Sequence, residues 1–178
     1  MRRLVYSVAA SLDGFIAGPN REYDWMTHDP DFDFLALYSE FDTGLMGRGT
    51  YEVARTRGDL LAGMKMKIVV VSTTLSPADH TGVTVLSRDI PEAVSALKAQ
   101  PGKDIWLFGG GILFRSLLDL GLVDAIYVSV MPVLLGSGVP LLPAGQRCKL
   151  HLDEHRIYPA SGMVSLRYSI DAPPSIAP

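Results

Sequence analysis

Hydrophobic residues in this chain come in short runs separated by turn-forming segments, and the character of the runs changes along the sequence. Leu4–Ala10 predicts a buried strand. Ser11–Asp24 holds Gly14, Gly18, Pro19 and Asn20, which predicts a loop with at least two tight turns. Asp29-Pro30 has the form of a helix start, an N-cap followed by proline, and Phe34, Leu35, Leu37, Tyr38 and Phe41 follow at helical spacing. Leu45-Met46 predicts a very short strand leading into Gly47-Arg48-Gly49-Thr50-Tyr51-Glu52, where a second helix begins. Ile68–Ser72 is dominated by β-branched residues, as expected of a central strand covered on both faces. Val83–Leu86 and Ile105–Phe108 predict two more strands, with a helix over Pro91–Ala99 between them. Gly109-Gly110-Gly111 opens a helix with Ile112, Leu113, Leu117 and Leu118 inward, and Gly121 ends it.

After residue 121 the rhythm changes. Ala125–Val133 predicts a long strand and Gly136–Pro143 a loop, and Lys149–Ile157 and Met163–Ile170 follow as strands with no room for a helix between them. Strands alternating with helices and then strands alone predict an α/β sheet, mostly parallel, finished by an antiparallel edge hairpin. The 178 residues with no repeat or low-complexity linker predict one domain over 1–171. Residues 172–178 carry Pro173, Pro174 and Pro178 and predict a flexible tail.

Composition narrows the function. The single cysteine, Cys148, excludes an internal disulfide, and with four histidines it argues against a closed metal site. A net charge of −3 offers no global field for nucleic acid. The start Met1–Ala10 imitates a signal peptide, but Asp13 cuts the apolar stretch short. No apolar run approaches the ~20 residues of a membrane span, so a cytoplasmic protein is the expectation. The charge is unevenly placed. Residues 13–42 carry one basic residue against eight acidic ones, whereas residues 48–67 carry five basic against two acidic. The second region suits an anionic cofactor, and the first suits hydrogen-bond donors on a substrate.

The candidate chemistry sits at strand ends. Gly109-Gly110-Gly111, between a strand and a helix, either lets backbone amides approach a phosphate or forms a close-packed turn. The Rossmann fingerprint fails, since its sixth position holds Phe114. Gly47-Arg48-Gly49-Thr50 places a cation and a hydroxyl at a second strand-to-helix junction, and its alternative is a surface arginine beside a capping threonine. Ser72 and Thr73 end another strand and Arg88 follows the next, where open α/β sheets bind ligands.

The ordered set of motifs resembles the dihydrofolate reductase superfamily, and within it the riboflavin-biosynthesis reductase-like branch. The stretches are Ala10–Gly18 followed by Trp25, Met46–Glu52, Val69–Ser72, Leu86-Ser87-Arg88, Gly109–Phe114, Leu120–Asp124 and Gly136–Leu141. The resemblance implies a three-layer α/β fold and NADPH as cofactor. It implies that Gly47, Arg48, Gly49 and Thr50 hold phosphates and that Ser72, Thr73 and Arg88 surround the 2′-phosphate. Gly109, Gly110, Gly111, Ile112 and Leu113 would cradle the pyrophosphate, and Ala10, Ile16 and Gly18 would line the nicotinamide side. Asp31 matches the carboxylate that orients a substrate, with Asp29 and Asp33 as alternatives, and Asp13, Trp25, Phe34 and Leu35 would complete the substrate side. The implied activity is hydride transfer to a small nitrogen heterocycle, an imine or a carbonyl.

Two departures narrow this. The place of the arginine that grips a folate tail falls on Met64, against folate. The chain opens at the reductase strand without deaminase zinc motifs, so a stand-alone reductase is expected. A nucleotide-binding module without efficient turnover fits the same cofactor half. The alternating apolar positions of Ala125–Val133 and the 136–142 loop predict a homodimer, as in the riboflavin branch.

Overall fold

In the strand Leu4–Ser11 (β1) odd and even positions go to different cores, and that alternation organises the whole molecule. The computed structural model describes residues 1–56 and 65–171; Met64 and the 172–178 tail lie outside the described residues. The remaining strands of the main sheet are Phe41–Gly47 (β3), Lys67–Val71 (β4), Val83–Leu86 (β5), Asp104–Gly109 (β6), Ala125–Met131 (β7), Leu150–Tyr158 (β9) and Met163–Ile170 (β10). Phe15–Ala17 (β2) and Val139–Pro140 (β8) form a separate two-stranded ribbon. The helices are Phe34–Ser39 (α1), Arg48–Thr56 (α2), Ile90–Ala99 (α3) and Gly111–Asp119 (α4).

The eight-stranded order is β5-β4-β3-β6-β1-β7-β10-β9. Every pairing from β5 to β7 is parallel, and both pairings of β10 are antiparallel. The expected mostly parallel sheet with a C-terminal antiparallel hairpin is therefore present. On one face Leu4, Tyr6, Leu45, Val69, Ile105, Leu107 and Ile126 pack with Val94 and Leu97 of α3 and Phe114, Leu117 and Leu118 of α4. On the other, Val5, Trp106, Ala125 and Tyr127 pack with Leu37 and Tyr38 of α1, while Met46, Ile68 and Val70 pack with Tyr51 of α2. Neighbouring residues of one strand thus enter opposite layers, which makes the fold three-layered.

Several local expectations change. The helix after Asp29-Pro30 starts four residues later: Asp33 is its N-cap, accepting the Ala36 N–H at 2.8 Å. The Asp29 carboxylate is drawn instead into a tertiary bond with the Ser161 N–H. The Ile68 run is covered on both faces but lies second from the sheet edge, outside the centre. The loops of 11–24 and 136–143 both contain strand, because each satisfies the other's backbone in the β2–β8 ribbon. Ile112 is 79% exposed and does not face the core. Gly121 ends α4 as expected, at φ +66, with its N–H on the Leu118 carbonyl and the Leu122 N–H on that of Leu117.

The surplus of apolar residues in β7 is used within the chain, since β7 lies between β1 and β10 and is no edge strand. At its start, Asp124 accepts the Leu4 N–H at 2.6 Å and pairs with buried Lys98 at 2.7 Å. Asp124→Ala leaves that ammonium uncompensated and should cost about 3 kcal/mol in urea unfolding. Lys98→Met with Asp124→Asn together should cost clearly less.

Candidate functional site

Because β5, β4, β3, β6, β1 and β7 run parallel, their carboxyl ends share one edge of the sheet. Arg88 follows β5, Ser72 and Thr73 follow β4, the Gly47–Thr50 junction follows β3, the triple glycine follows β6, and Ala10 lies near the end of β1. Ile16 sits on β2, whose ribbon is tied to that edge through the Phe15 N–H on the Ser11 hydroxyl at the end of β1, at 2.9 Å. Every residue expected on the cofactor side is thus gathered along one edge.

The two glycine-bearing junctions touch. A methyl group at Gly110 would stand 3.8 Å from Thr50 Oγ1, and one at Gly47 would stand 3.9 Å from Leu113. One at Gly49 would stand 3.6 Å from the Arg21 guanidinium. These are ordinary contacts, so the protein's own packing does not demand glycine at Gly47, Gly49 or Gly110. Their missing side chains leave the backbone bare where the N-termini of α2 and α4 converge. Among the described residues no side chain caps α4 at Gly110. Gly109 has φ +107, a conformation that favours glycine. Gly111 serves packing: a methyl group there would meet the Pro140 carbonyl at 2.9 Å.

Side chains set the rest of this edge. Arg48 donates to Thr74 Oγ1 at 2.7 Å and pairs with Glu52 at 3.2 Å, which holds its guanidinium beside the turn after β4. Ser72 Oγ accepts the N–H groups of Thr74 and Leu75 at 3.2 and 3.1 Å and so shapes the turn after β4. Thr73 and Arg88 are exposed. Arg21 was not predicted. Nothing in the local sequence marks it, because a tertiary contact carries the chain from Gly18 across to α2. There its residue is left-handed at φ +63, and its N–H bonds the Gly18 carbonyl at 2.9 Å. Gly18 is buried in the same turn, with its N–H on the Glu22 carbonyl.

The substrate side differs from expectation. A cavity of about 280 Å³ opens between α1, the 26–32 segment and the ends of β1, β6 and β7. Phe34 lines it as expected, together with Phe32, Tyr38, Trp106 and Phe108. Asp31 is exposed and does not line it. Leu35, one residue beyond Phe34 on a six-residue helix, is 80% exposed and points away. Trp25 packs on the Met131, Tyr158 and Met163 cluster and donates to the Glu22 carbonyl at 3.3 Å. Asp13 ties two loops together, accepting the Leu135 N–H at 3.1 Å and the Gly136 N–H at 2.7 Å. Missed in the sequence were Trp106 and Phe108, which look there like ordinary strand residues and reach the cavity through the neighbouring β1.

Asp29 is the carboxylate that lines the cavity. Its two oxygens accept the Asp31 N–H and the Ser161 N–H, each at 2.9 Å. The Ser161 hydroxyl and these amides hold it below the usual carboxylate range. The Ser11 hydroxyl and the Gly136 and Leu135 amides do the same for Asp13. Among the described residues no group of three or more His, Cys, Asp and Glu could hold a metal ion, and no helix is long and apolar enough to cross a membrane.

The chain belongs to the RibD C-terminal domain family, whose profile matches residues 2–164. It is 37% identical over 180 residues to the uncharacterized protein YyaP of Bacillus subtilis (strain 168), covering 94% of each chain. In fold it is similar to a Shewanella sp. PV-4 protein assigned to riboflavin biosynthesis, with a TM-score of 0.81 at 23% identity, covering 96% of this chain and 99% of the other. It is also similar to the dihydrofolate reductase of Enterococcus faecalis complexed with NADP(H), with a TM-score of 0.67 at 16% identity, covering 95% and 96%.

Asp29 and Asp13 have depressed pKa values in the folded state, so their stabilising contribution is present above the unfolded carboxylate value near 3.8. It is lost as pH falls through the folded values. Asp29→Asn should therefore lower the urea midpoint at pH 6 and flatten its decline below pH ~4. An acid limb identical to that of the parent chain would contradict this assignment.

Proposed function

We propose that the chain is an NADPH-dependent reductase that transfers a hydride to a small nitrogen heterocycle, an imine or a carbonyl compound. The observation that carries this reading is the convergence of two helix N-termini at Gly47, Gly49 and Gly110, whose lack of side chains leaves the backbone there bare. Such a site suits a pyrophosphate, since amides and aligned helix dipoles both favour negative charge there. Arg48 and Thr50 would hold phosphate oxygens at α2, and the amides of Gly110 to Leu113 would hold those at α4. Ser72, Thr73 and Arg88, farther along the edge, would meet the 2′-phosphate, whose charge rewards a guanidinium. Ala10, Ile16 and Gly18 would border the nicotinamide, and the cavity begins beside them at Val8 and Ala9. The reduced nicotinamide supplies the hydride. The protein's part is to align the acceptor and keep water away.

Titration by nicotinamide fluorescence tests this. Saturable NADPH binding at micromolar concentration is expected, with NADH weaker. Arg48→Ala should weaken NADPH roughly tenfold or more, the scale of one charge-assisted contact. Arg88→Ala should remove most of the preference for NADPH. Absence of saturable NADPH binding overturns the reading.

The proposed state is a homodimer of cytoplasmic chains. Support for pairing comes from β9, the outer strand, exposed at every position but Tyr158 and carrying exposed Leu150, Leu152 and Ile157. An edge strand with an unpaired backbone row and apolar side chains favours association with another chain. Sedimentation at tens of micromolar should show a dimer that Leu152→Glu dissociates, and a monomeric parent chain would remove this part of the proposal.

A further inference from the structure

The cavity beside β1 has a wall of unusual uniformity. Phe108 stacks on Trp106 at 4.3 Å between ring centroids, and Trp106 lies 5.4 Å from Tyr38. Tyr38 lies 6.1 Å from Phe34, which meets Phe32 edge-on at 4.6 Å. Five rings therefore form one continuous arc, from the sheet across α1 to the segment before it. Among the described residues no lysine or arginine lines this compartment, whereas the ionised Asp29 does, together with His28, whose ring stacks on Phe34 at 5.3 Å. Aromatic rings carry negative potential over their faces, so a cavity walled by rings beside a carboxylate suits a desolvated cation.

The adjoining recess keeps the same sign. It holds about 130 Å³ and shares Ser7, Phe32, Leu37 and Ser129 with the main cavity. Its Arg167 is held by Glu40 at 2.7 and 3.2 Å and by Glu154 at 3.7 Å, and it lies over the Tyr127 ring at 4.4 Å. Arg156 lies over Tyr158 at 4.8 Å. Of the lining residues, Asp29, Asp33 and Glu154 stand against these two guanidinium groups, and Glu40, outside the lining, pairs with one of them. The joined space therefore has an excess of negative charge, and an anionic group entering it would be repelled.

We infer that the compartment selects a planar, positively charged nitrogen compound, an iminium or a protonated heterocycle without an anionic substituent. This rests on the reductase reading and names the substrate class for the same site. The volume lies near the small end of ligand cavities, which run from roughly 300 to 1,000 Å³, and suits one fused ring system. The charge also simplifies the chemistry. A cationic C=N bond accepts hydride at carbon while its π pair neutralises the nitrogen, and the reduced nicotinamide leaves oxidised. No proton has to be delivered. That suits a cavity whose one lining carboxylate, among the described residues, already accepts two N–H bonds.

Three probes on one fused bicyclic frame test this by calorimetry: N-methyl-3,4-dihydroisoquinolinium, neutral 1,2-dihydronaphthalene and anionic 1-naphthoate. The cation should saturate below millimolar concentration and bind roughly five- to thirtyfold more tightly than the neutral ring. The anion should be weakest. Phe34→Leu keeps the apolar bulk on a 39% exposed residue and removes an aromatic face. It should therefore weaken the cation several-fold and the neutral ring little. Neutral or anionic binding as tight as the cation's, an equal effect of Phe34→Leu on both rings, or failure of the cation to saturate overturns the inference. NADPH titration of the same protein separates the outcomes: lost NADPH binding defeats the reductase reading, whereas intact NADPH binding with the wrong probe order defeats only the substrate class.

Discussion

Six adjacent strands running the same way impose a geometric condition on everything else in this molecule. Parallel neighbours require crossovers, and the crossovers here place α3 and α4 on one face and α2 on the other. Both faces are thereby closed to solvent. What stays open is the edge where the carboxyl ends emerge together. The register reinforces this, since Val5 of β1 pairs with Trp106 of β6 on one side and Ala125 of β7 on the other. Residues far apart in sequence, such as Ala10, Gly47 and Gly109, are neighbours in the fold only because these strands share a direction.

The edge and the cavity divide the charge of the chain. The carboxyl edge has helix N-termini, Arg48, Arg88 and Arg21, whereas the cavity has Asp29 and aromatic rings. In sequence the same division shows as an acidic stretch before Thr43 and a basic one after it. In the fold much of the acid is structural. Asp13 ties two loops, Asp29 anchors the 29–31 turn to the β9–β10 turn, and Asp33 caps α1. The acidic character near the cavity is thus partly a by-product of loops that need carboxylates to satisfy backbone amides.

The residues along the carboxyl edge were easier to place from the sequence than those lining the cavity, for a local reason. A phosphate groove is built from short contiguous motifs at strand-to-helix junctions, where glycine, arginine and hydroxyl residues stand out. The cavity is built from single residues on separate elements. Trp106 and Phe108 look like any strand residues, and only the pairing of β6 with β1 and the docking of α1 turn them toward a common space. Asp31 stood out through its place after Trp25. The side chain of Asp29 instead closes the turn and leaves Asp31 in solvent.

By itself the sequence determined the alternation of strand and helix, the parallel block with its antiparallel hairpin, and the phosphate-friendly junctions. These follow from periodicity, glycine placement and capping, all of which act over a few residues. Only the tertiary structure decided that Arg21 reaches α2, that β7 is interior, that Leu35 faces water while Phe34 faces the cavity, and that five rings form one arc. Each of these depends on which elements pack side by side, and that is set by the burial of whole faces, which no short stretch of chain encodes alone.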